Sequence, residues 1–459
     1  MATKPKVKTL TNSSVDVLNA IRHEATINYQ NKVPIATADA DSIRTIGAVI
    51  MDAVELQNEF LSALVNRIGR VMVSSRLFDN PLKMFKRGIL EYGEVVEDIF
   101  VNIAKPFTFD PETAEAEVFK REIPDVKSTF YVMNYQKFYK TTISADQLQQ
   151  AFLSWDGVID LIGRIVDSMY SGANYDEWLT TKYMIARKML NGEIASVTIA
   201  TPSEATAKTI GTSVRGLSND FEFPKTIYNT AKVLNKSDKK DQYLIMKSEF
   251  DAFIDVNLLS AAFNMDKAEF LGHRLMIDGF DFSDDEIARL GEVFAGNTTY
   301  EEIGTADNAE LKKVQAILID KDFLMIFDNM MKFTEAYNGQ GLYWNEFLHR
   351  WVTFAASPFA NAAMLQTGNP QVTSVTVSPT TATAKQNAAY AQNIQLTAII
   401  ETTDFAPQAV KWTSDTEGVT VSAAGLVTIP ANTKAPKVVI TATSVFDNSK
   451  IGTCTITLS

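Results

Sequence analysis

Cysteine is almost missing: Cys454 stands alone among 459 residues. One thiol excludes an intrachain disulfide framework and any zinc site built on several cysteines, and the residue is expected to be a small buried side chain. Histidine is nearly as scarce. His23, His273 and His349 have no second histidine or cysteine at ligand spacing, so no metal ligands are expected and each reads as a structural or surface residue. Net positive charge is lacking too. The formal balance is −12, which argues against a nucleic-acid binder that works by covering phosphates. No uncharged apolar run approaches the twenty residues or so of a membrane helix. Near the start, Lys4, Lys6 and Lys8 precede a polar stretch with no apolar core of signal-peptide length, so no export signal is expected.

Catalytic signatures are equally sparse. There is no Walker-type loop, no serine in a G-x-S-x-G elbow, and Gly339-Gln-Gly341 lacks the strand and helix of a dinucleotide loop and reads as a turn. No catalytic residue, no cofactor-binding residue and no cofactor is expected, and nothing points to an enzyme.

A large core is present. With 46% hydrophobic residues the chain can bury two or more domains. Its longest helical stripe lies in residues 144–190, where Leu148, Phe152, Trp155, Ile159, Ile162, Val166, Met169, Tyr170 and Ala173 recur at three- and four-residue spacings. Ser144 is placed to cap it, and Gly157, Gly163 and Gly172 each cost about 1 kcal/mol against alanine, so a break or bend at one of them is expected. Residues 15–69 are also helical in period, with Gly69 as a stop, and residues 71–76 alternate like a strand. After the Asn80-Pro81 turn, residues 82–142 are charged and extended. That stretch is either an arm lying on something else or a solvated surface hairpin.

Further on, residues 193–220 read as strand and loop and residues 223–234 as helix. Short strands are expected near 243–246, 275–280 and 316–319, with a helix capped by Asp255. Residues 281–310 hold nine carboxylates against the single base Arg289; a cation or partner site is conceivable there, but solvated loop fits better because no calcium-loop spacing is present. Past Gly368-Asn369-Pro370 the composition turns to Thr, Val, Ala and Ser in short alternating runs. Residues 371–459 are therefore expected to form a separate β-sandwich.

Five strings in order carry a family resemblance: Asn80-Pro-Leu-Lys-Met-Phe-Lys-Arg-Gly88; Glu117-Val-Phe-Lys-Arg-Glu-Ile-Pro124; Ala151-Phe-Leu-Ser-Trp155; Ala262-Phe-Asn-Met265 with Phe270-Leu-Gly272; and Gly341-Leu-Tyr-Trp-Asn345 with Ser357-Pro-Phe-Ala-Asn361. Over residues 17–366 the chain resembles the major capsid proteins of phi-twenty-nine-like podoviruses. The resemblance implies an α+β tailed-phage capsid fold of the Hong Kong ninety-seven type. Its capsid domain would span 1–369, with an N-terminal arm (1–70), an extended loop (71–142), a peripheral domain (143–218 and 339–369) and an axial domain (219–338). The resemblance also moves the start of the long spine helix to Trp155, with Ser154 as its cap.

Residues 370–459 resemble a bacterial immunoglobulin-like group 2 domain through Val375-Thr-Val-Ser-Pro379, Val410-Lys-Trp-Thr-Ser414 and Val421-Ser-Ala-Ala-Gly-Leu-Val427. The acidic segment 281–310 looks like an insertion relative to the family. The implied function is a shell of hexamers and pentamers around double-stranded DNA, bound without sequence specificity. A separate scaffolding protein and a portal protein would be partners, the shell would assemble in the host cytoplasm, and the terminal domain would decorate the virion, with weak host-surface carbohydrate contact as one role. Leu82, Phe85, Lys86 and Arg87 are the expected inter-subunit contacts of the extended loop. A tail-tube protein or a bacterial surface adhesin is the alternative.

Overall fold

The computed structural model describes residues 14–37, 40–71, 78–91, 95–107, 121–144, 157–256 and 273–459. The chain divides into two compact units. The first comprises residues 1–96, 131–179 and 326–354, and the second residues 97–130, 180–325 and 355–459.

The first unit is a helical layer on a sheet. Helices α1 (Ser14–Glu24), α2 (Ile27–Lys32), α3 (Ala40–Met51) and α4 (Val54–Val71) lead into a four-stranded sheet of order β1-β9-β10-β4. Its strands are β1 (Lys86–Ile89), β4 (Tyr135–Ser144), β9 (Leu324–Asn338) and β10 (Tyr343–Ala356), with β1 parallel to β9 and β4 antiparallel to β10. On β10 alternation buries Trp344, Glu346, Leu348, Arg350 and Val352. Trp344 and Leu348 join one core with Ile21, Ile43, Ile46, Ile50, Phe60 and Leu61 from the helices and Val166 and Met169 from the long helix. Trp344 is fully buried and donates Nε1–H to Asn58 Oδ1. Trp344→Ala should cost about 3–5 kcal/mol, read as a lower urea midpoint for the first unit.

That long helix, α5 (Gly157–Leu190), runs unbroken through Gly163 and Gly172. A methyl at Gly172 would rest 3.5 Å from the Tyr139 ring, an ordinary packing distance, so the neighbouring strand does not itself require glycine there. Ser144 closes β4 opposite Tyr343. Residues 145–156, where a helix capped by Ser144 would begin and where the proposed start at Ser154 and Trp155 falls, lie outside the described residues. Likewise α4 continues through Gly69 to Val71, and residues 72–77 lie outside the described set.

The second unit centres on a five-stranded sheet, β5-β11-β8-β6-β7, made of β5 (Ala195–Thr198), β6 (Gln242–Lys247), β7 (Arg274–Ile277), β8 (Val314–Asp320) and β11 (Ala362–Gln366). Several expectations are corrected here. Residues 207–220 form helix α6 (Ala207–Asp220), because Ile210, Val214, Leu217 and then Phe221 make a narrow apolar stripe among threonines, serines and glycines. Residues 223–234 are turns and loop, stapled by Asn229, whose side chain accepts from Val233 N–H and donates to Val233 O. Asp255 follows α7 (Ser248–Ile254) at its C-terminal end, where its carboxylate forks onto the Arg274 guanidinium at 2.7 and 3.1 Å, and the helix expected after it falls on residues 257–263, outside the described residues.

About half of the acidic segment is helix rather than the expected solvated loop, and Asp284, Asp285, Glu292, Glu301 and Glu302 do face solvent. The segment contains α8 (Asp284–Val293) and α9 (Thr305–Leu311), and Ser283 and Glu286 form a reciprocal capping box at the start of α8. Glu286 and Asp278 take Lys182 Nζ at 3.1 and 3.0 Å, and this buried ammonium lies 4.7 Å from the centre of the Phe282 ring.

Residues 371–458 are all β. They form the sheets β12-β15, β13-β20-β19-β16 and β14-β18-β17, from β12 (Gln371–Ser378), β13 (Thr381–Ala384), β14 (Gln392–Gln395), β15 (Thr397–Thr403), β16 (Val410–Ser414), β17 (Thr420–Val421), β18 (Leu426–Ile429), β19 (Lys437–Ser444) and β20 (Ile451–Leu458). Cys454 is buried in the core between them with Val375, Leu396, Ile440 and Ile456.

This portion is fastened to the rest of its unit by Asp404. The carboxylate pairs with the Lys313 ammonium and accepts from Asn369 N–H at 2.7 Å. A methyl on Gly368 would lie 2.6 Å from the Asp404 Cβ. Asp404→Ala should therefore weaken the attachment by about 1–3 kcal/mol and speed protease cleavage near residues 366–370, with Gly368→Ala acting in the same direction.

Candidate functional site

Among the described residues, strands β2 (Val96–Val101) and β3 (Val126–Tyr131) pair only with each other. A two-stranded ribbon has two faces, and the run Ile99-Phe100-Val101 makes both of them apolar. One face is used within the second unit. Phe100 stacks on Phe359 with ring centres 5.9 Å apart, Ser357 Oγ–H donates to Asp98 at 2.6 Å, and Lys127 Nζ donates to Ala231 O at 2.6 Å. Asn102 adds a bond from Leu234 N–H at 3.3 Å.

The opposite face is left uncovered. Ile99, Val101, Val126 and Phe130 are each at least half exposed, and next to them Ile103, Phe107 and Ile123 reach 64%, 70% and 85%. An apolar strip this long on a ribbon already held by its other face is unusual for a soluble surface, and it fits a protein that completes its burial against another chain.

The four residues expected to make such contacts lie elsewhere. Leu82 and Phe85 are 1% and 3% exposed within the first unit, so their apolar surface is already spent. Lys86 reaches inward to Glu177 at 2.8 Å and Asp328 at 3.5 Å. Arg87, on β1, is the exposed member of the set. The sequence shows bases near a turn but not that β1 adds to the sheet edge and carries Lys86 into a buried ion cluster.

That cluster holds the first unit together. Glu177 on α5 accepts from Arg350 Nη2 at 2.8 Å, from Lys86 Nζ and from Asn80 Nδ2 at 3.1 Å, and Arg350 also meets Asp328 at 3.0 Å. Two acids and two bases balance, and Glu177 and Arg350 are buried. Among the described residues no group of three or more His, Cys, Asp or Glu is placed to hold a metal.

The architecture matches solved phage shells. A chain in the capsid structure of Staphylococcus phage Andhra aligns with a TM-score of 0.50 at 14% identity, covering 64% of this chain and 86% of that one. The fold is that of a tailed-phage capsid protein.

Residues 18–366 match the family described as Phi29-like phage major capsid protein. The major capsid protein of Bacillus phage B103 is 36% identical over 427 residues, 91% of this chain and 87% of the relative. That of Streptococcus phage Cp-1 is 27% identical over 363 residues, 76% and 93% respectively. The chain belongs to this family: it is a major capsid protein, which in many copies forms the head shell of a tailed bacteriophage.

Proposed function

We propose that shell assembly is driven through the outward face of the β2–β3 ribbon, with Ile99, Val101, Val126 and Phe130 buried against a neighbouring copy. The observation that carries this is the uncovered apolar face of the ribbon, which is held to its own unit on the other face by Asp98, Phe100 and Lys127. The extended loop of the family then corresponds to residues 96–131, narrower than 71–142, because β1 and β4 belong to the four-stranded sheet. Arg87, exposed at the edge of that sheet, stays a candidate polar contact of its own unit. The first unit corresponds to most of the peripheral domain, and the five-stranded sheet, with β5 and β11 included, to the axial domain.

The subunit acts without catalysis or cofactor. Its copies group as hexamers and pentamers, aided in the host cytoplasm by a separate scaffolding protein, with a portal protein at one vertex. An acidic subunit suits a container for double-stranded DNA, since a wall of like charge does not glue the polymer to itself. Residues 370–459 are an immunoglobulin-like domain on the outside of the head, either reinforcing it or touching host-surface carbohydrate.

Electron microscopy of the full chain, expressed with and without a scaffolding protein, tests the assembly reading: closed shells are expected, and stacked tubes or stable monomers would overturn it. For the all-β portion, truncation belongs after Asn369, because Gln366 and Thr367 still bond Thr198 and Lys313. Closed shells from that truncation are expected, and their loss would give the domain an essential structural part.

A further inference from the structure

Among the described residues of the first unit, Glu346 is a buried carboxyl whose chemistry neither packing nor shell contacts explain. It sits on β10 between Trp344 and Leu348, on the face covered by the helical layer, with no exposed surface. Neither carboxyl oxygen has a hydrogen-bond partner. A buried carboxylate without a partner costs far more than a buried neutral acid.

We propose that Glu346 is a proton-binding site: it is held as the neutral acid while the helices cover β10, and it gives up that proton when they lift away. Burial, then repulsion from Glu335 on β9, pushes its pKa up to about 7. Six charged groups described on the elements around this core are committed elsewhere. Arg350 on β10 serves Glu177 and Asp328, and Asp176 on α5 accepts from Tyr139 on β4. Arg22 on α1 donates to the carbonyls of Val33 and Gln30, and Glu59 on α4 accepts from Thr26. On α3, Arg44 and Asp41 form an exposed pair. Tyr29, Tyr139 and Tyr170 are all pushed above their usual range by burial, so they stay protonated throughout.

The sign follows from linkage. A glutamate in the open chain titrates near its ordinary 4.5, whereas this one titrates near 7 when covered. Between those values the closed form holds a proton the open form lacks. The closed form is therefore favoured most at the acid end, and its advantage falls by about tenfold per pH unit until it is fully lost above pH 7.

The test uses the full chain in assembled shells, labelled at glutamate side-chain carboxyls with carbon-13 and titrated by solid-state NMR from pH 4 to 9. One carboxyl titrating near pH 7 and missing from Glu346→Gln is the expected result. Hydrogen exchange of α3 and α4, corrected for intrinsic rates, should lose protection from pH 5 to 7 in the wild type and stay flat in Glu346→Gln. Should that variant fail to fold, Glu335→Gln must lower the wild-type midpoint. The proposal is overturned if every glutamate titrates in the ordinary range, if both proteins share one exchange profile, or if Glu346→Gln loosens the helices at every pH. A midpoint that moves with added calcium or sodium would instead make Glu346 a cation ligand.

Discussion

Ile99→Asp and Phe130→Asp leave a folded subunit that no longer closes into shells. Both side chains are more than half exposed on the free ribbon, so substitution there should change the stability of the subunit by no more than about 0.5 kcal/mol. In the shell the same positions are buried against a neighbour, where each apolar side chain contributes about 1.5–3 kcal/mol and a carboxylate adds a desolvation cost. A loss of at least 3 kcal/mol per contact is roughly a 100-fold weaker association, repeated at every subunit boundary. Sedimentation with electron microscopy should show capsomers or monomers in place of shells. Phe100→Ala is the contrast. Its ring stacks on Phe359 inside the second unit, so the defect should show as loosening of the ribbon even in isolated subunits. Normal shell yield from both aspartate variants would remove the ribbon from the assembly contact.

Glu177→Gln should be the most damaging conservative change in the first unit. The amide keeps the shape but removes the charge that Arg350 and Lys86 share, leaving buried Arg350 and partly buried Lys86 against Asp328 alone. Breaking a buried ion pair from one side costs about 3–5 kcal/mol, because the remaining charge stays desolvated. The exposed pair Arg44–Asp41 is the control, and Arg44→Gln should shift stability by less than about 0.5 kcal/mol. Urea unfolding followed by tryptophan fluorescence separates the two outcomes, and equal midpoints for both variants would contradict the buried role of the cluster.

The long helix was legible because its buried residues Val166, Met169 and Ala173 repeat at helical spacing, and a period survives any tertiary context. Helix α6 was hidden because three apolar residues at four- and three-residue steps do not stand out among Thr, Ser and Gly, whose preferences favour turns. The converse error fell at residues 223–234. There Pro224 and the positive φ of Lys232 (54°) outweigh an apparent apolar period. In the acidic segment the Ser283-x-x-Glu286 box was readable, yet the charge count drew attention from it.

The ion cluster could not be read at all. Lys86, Glu177, Asp328 and Arg350 come from β1, α5, β9 and β10, and nothing local to any of them names its partners. The apolar ribbon was half legible. Ile99-Phe100-Val101 shows that both faces are greasy, but only the Phe100–Phe359 stack tells which face remains open.

The place of β20 has a consequence for synthesis on the ribosome. It lies between β13 and β19, parallel to one and antiparallel to the other, yet it is made after both. Its sheet therefore stays split until residues 451–458 emerge, while every strand of the three sheets described before residue 370 is already available. At about 5–20 residues per second, residues 370–459 take roughly 5–20 s to make. Over that interval the shell-forming part can fold without competition from the Val- and Thr-rich strands behind it, and a nascent chain cut short before β20 carries an open sheet edge that quality-control proteases can seize.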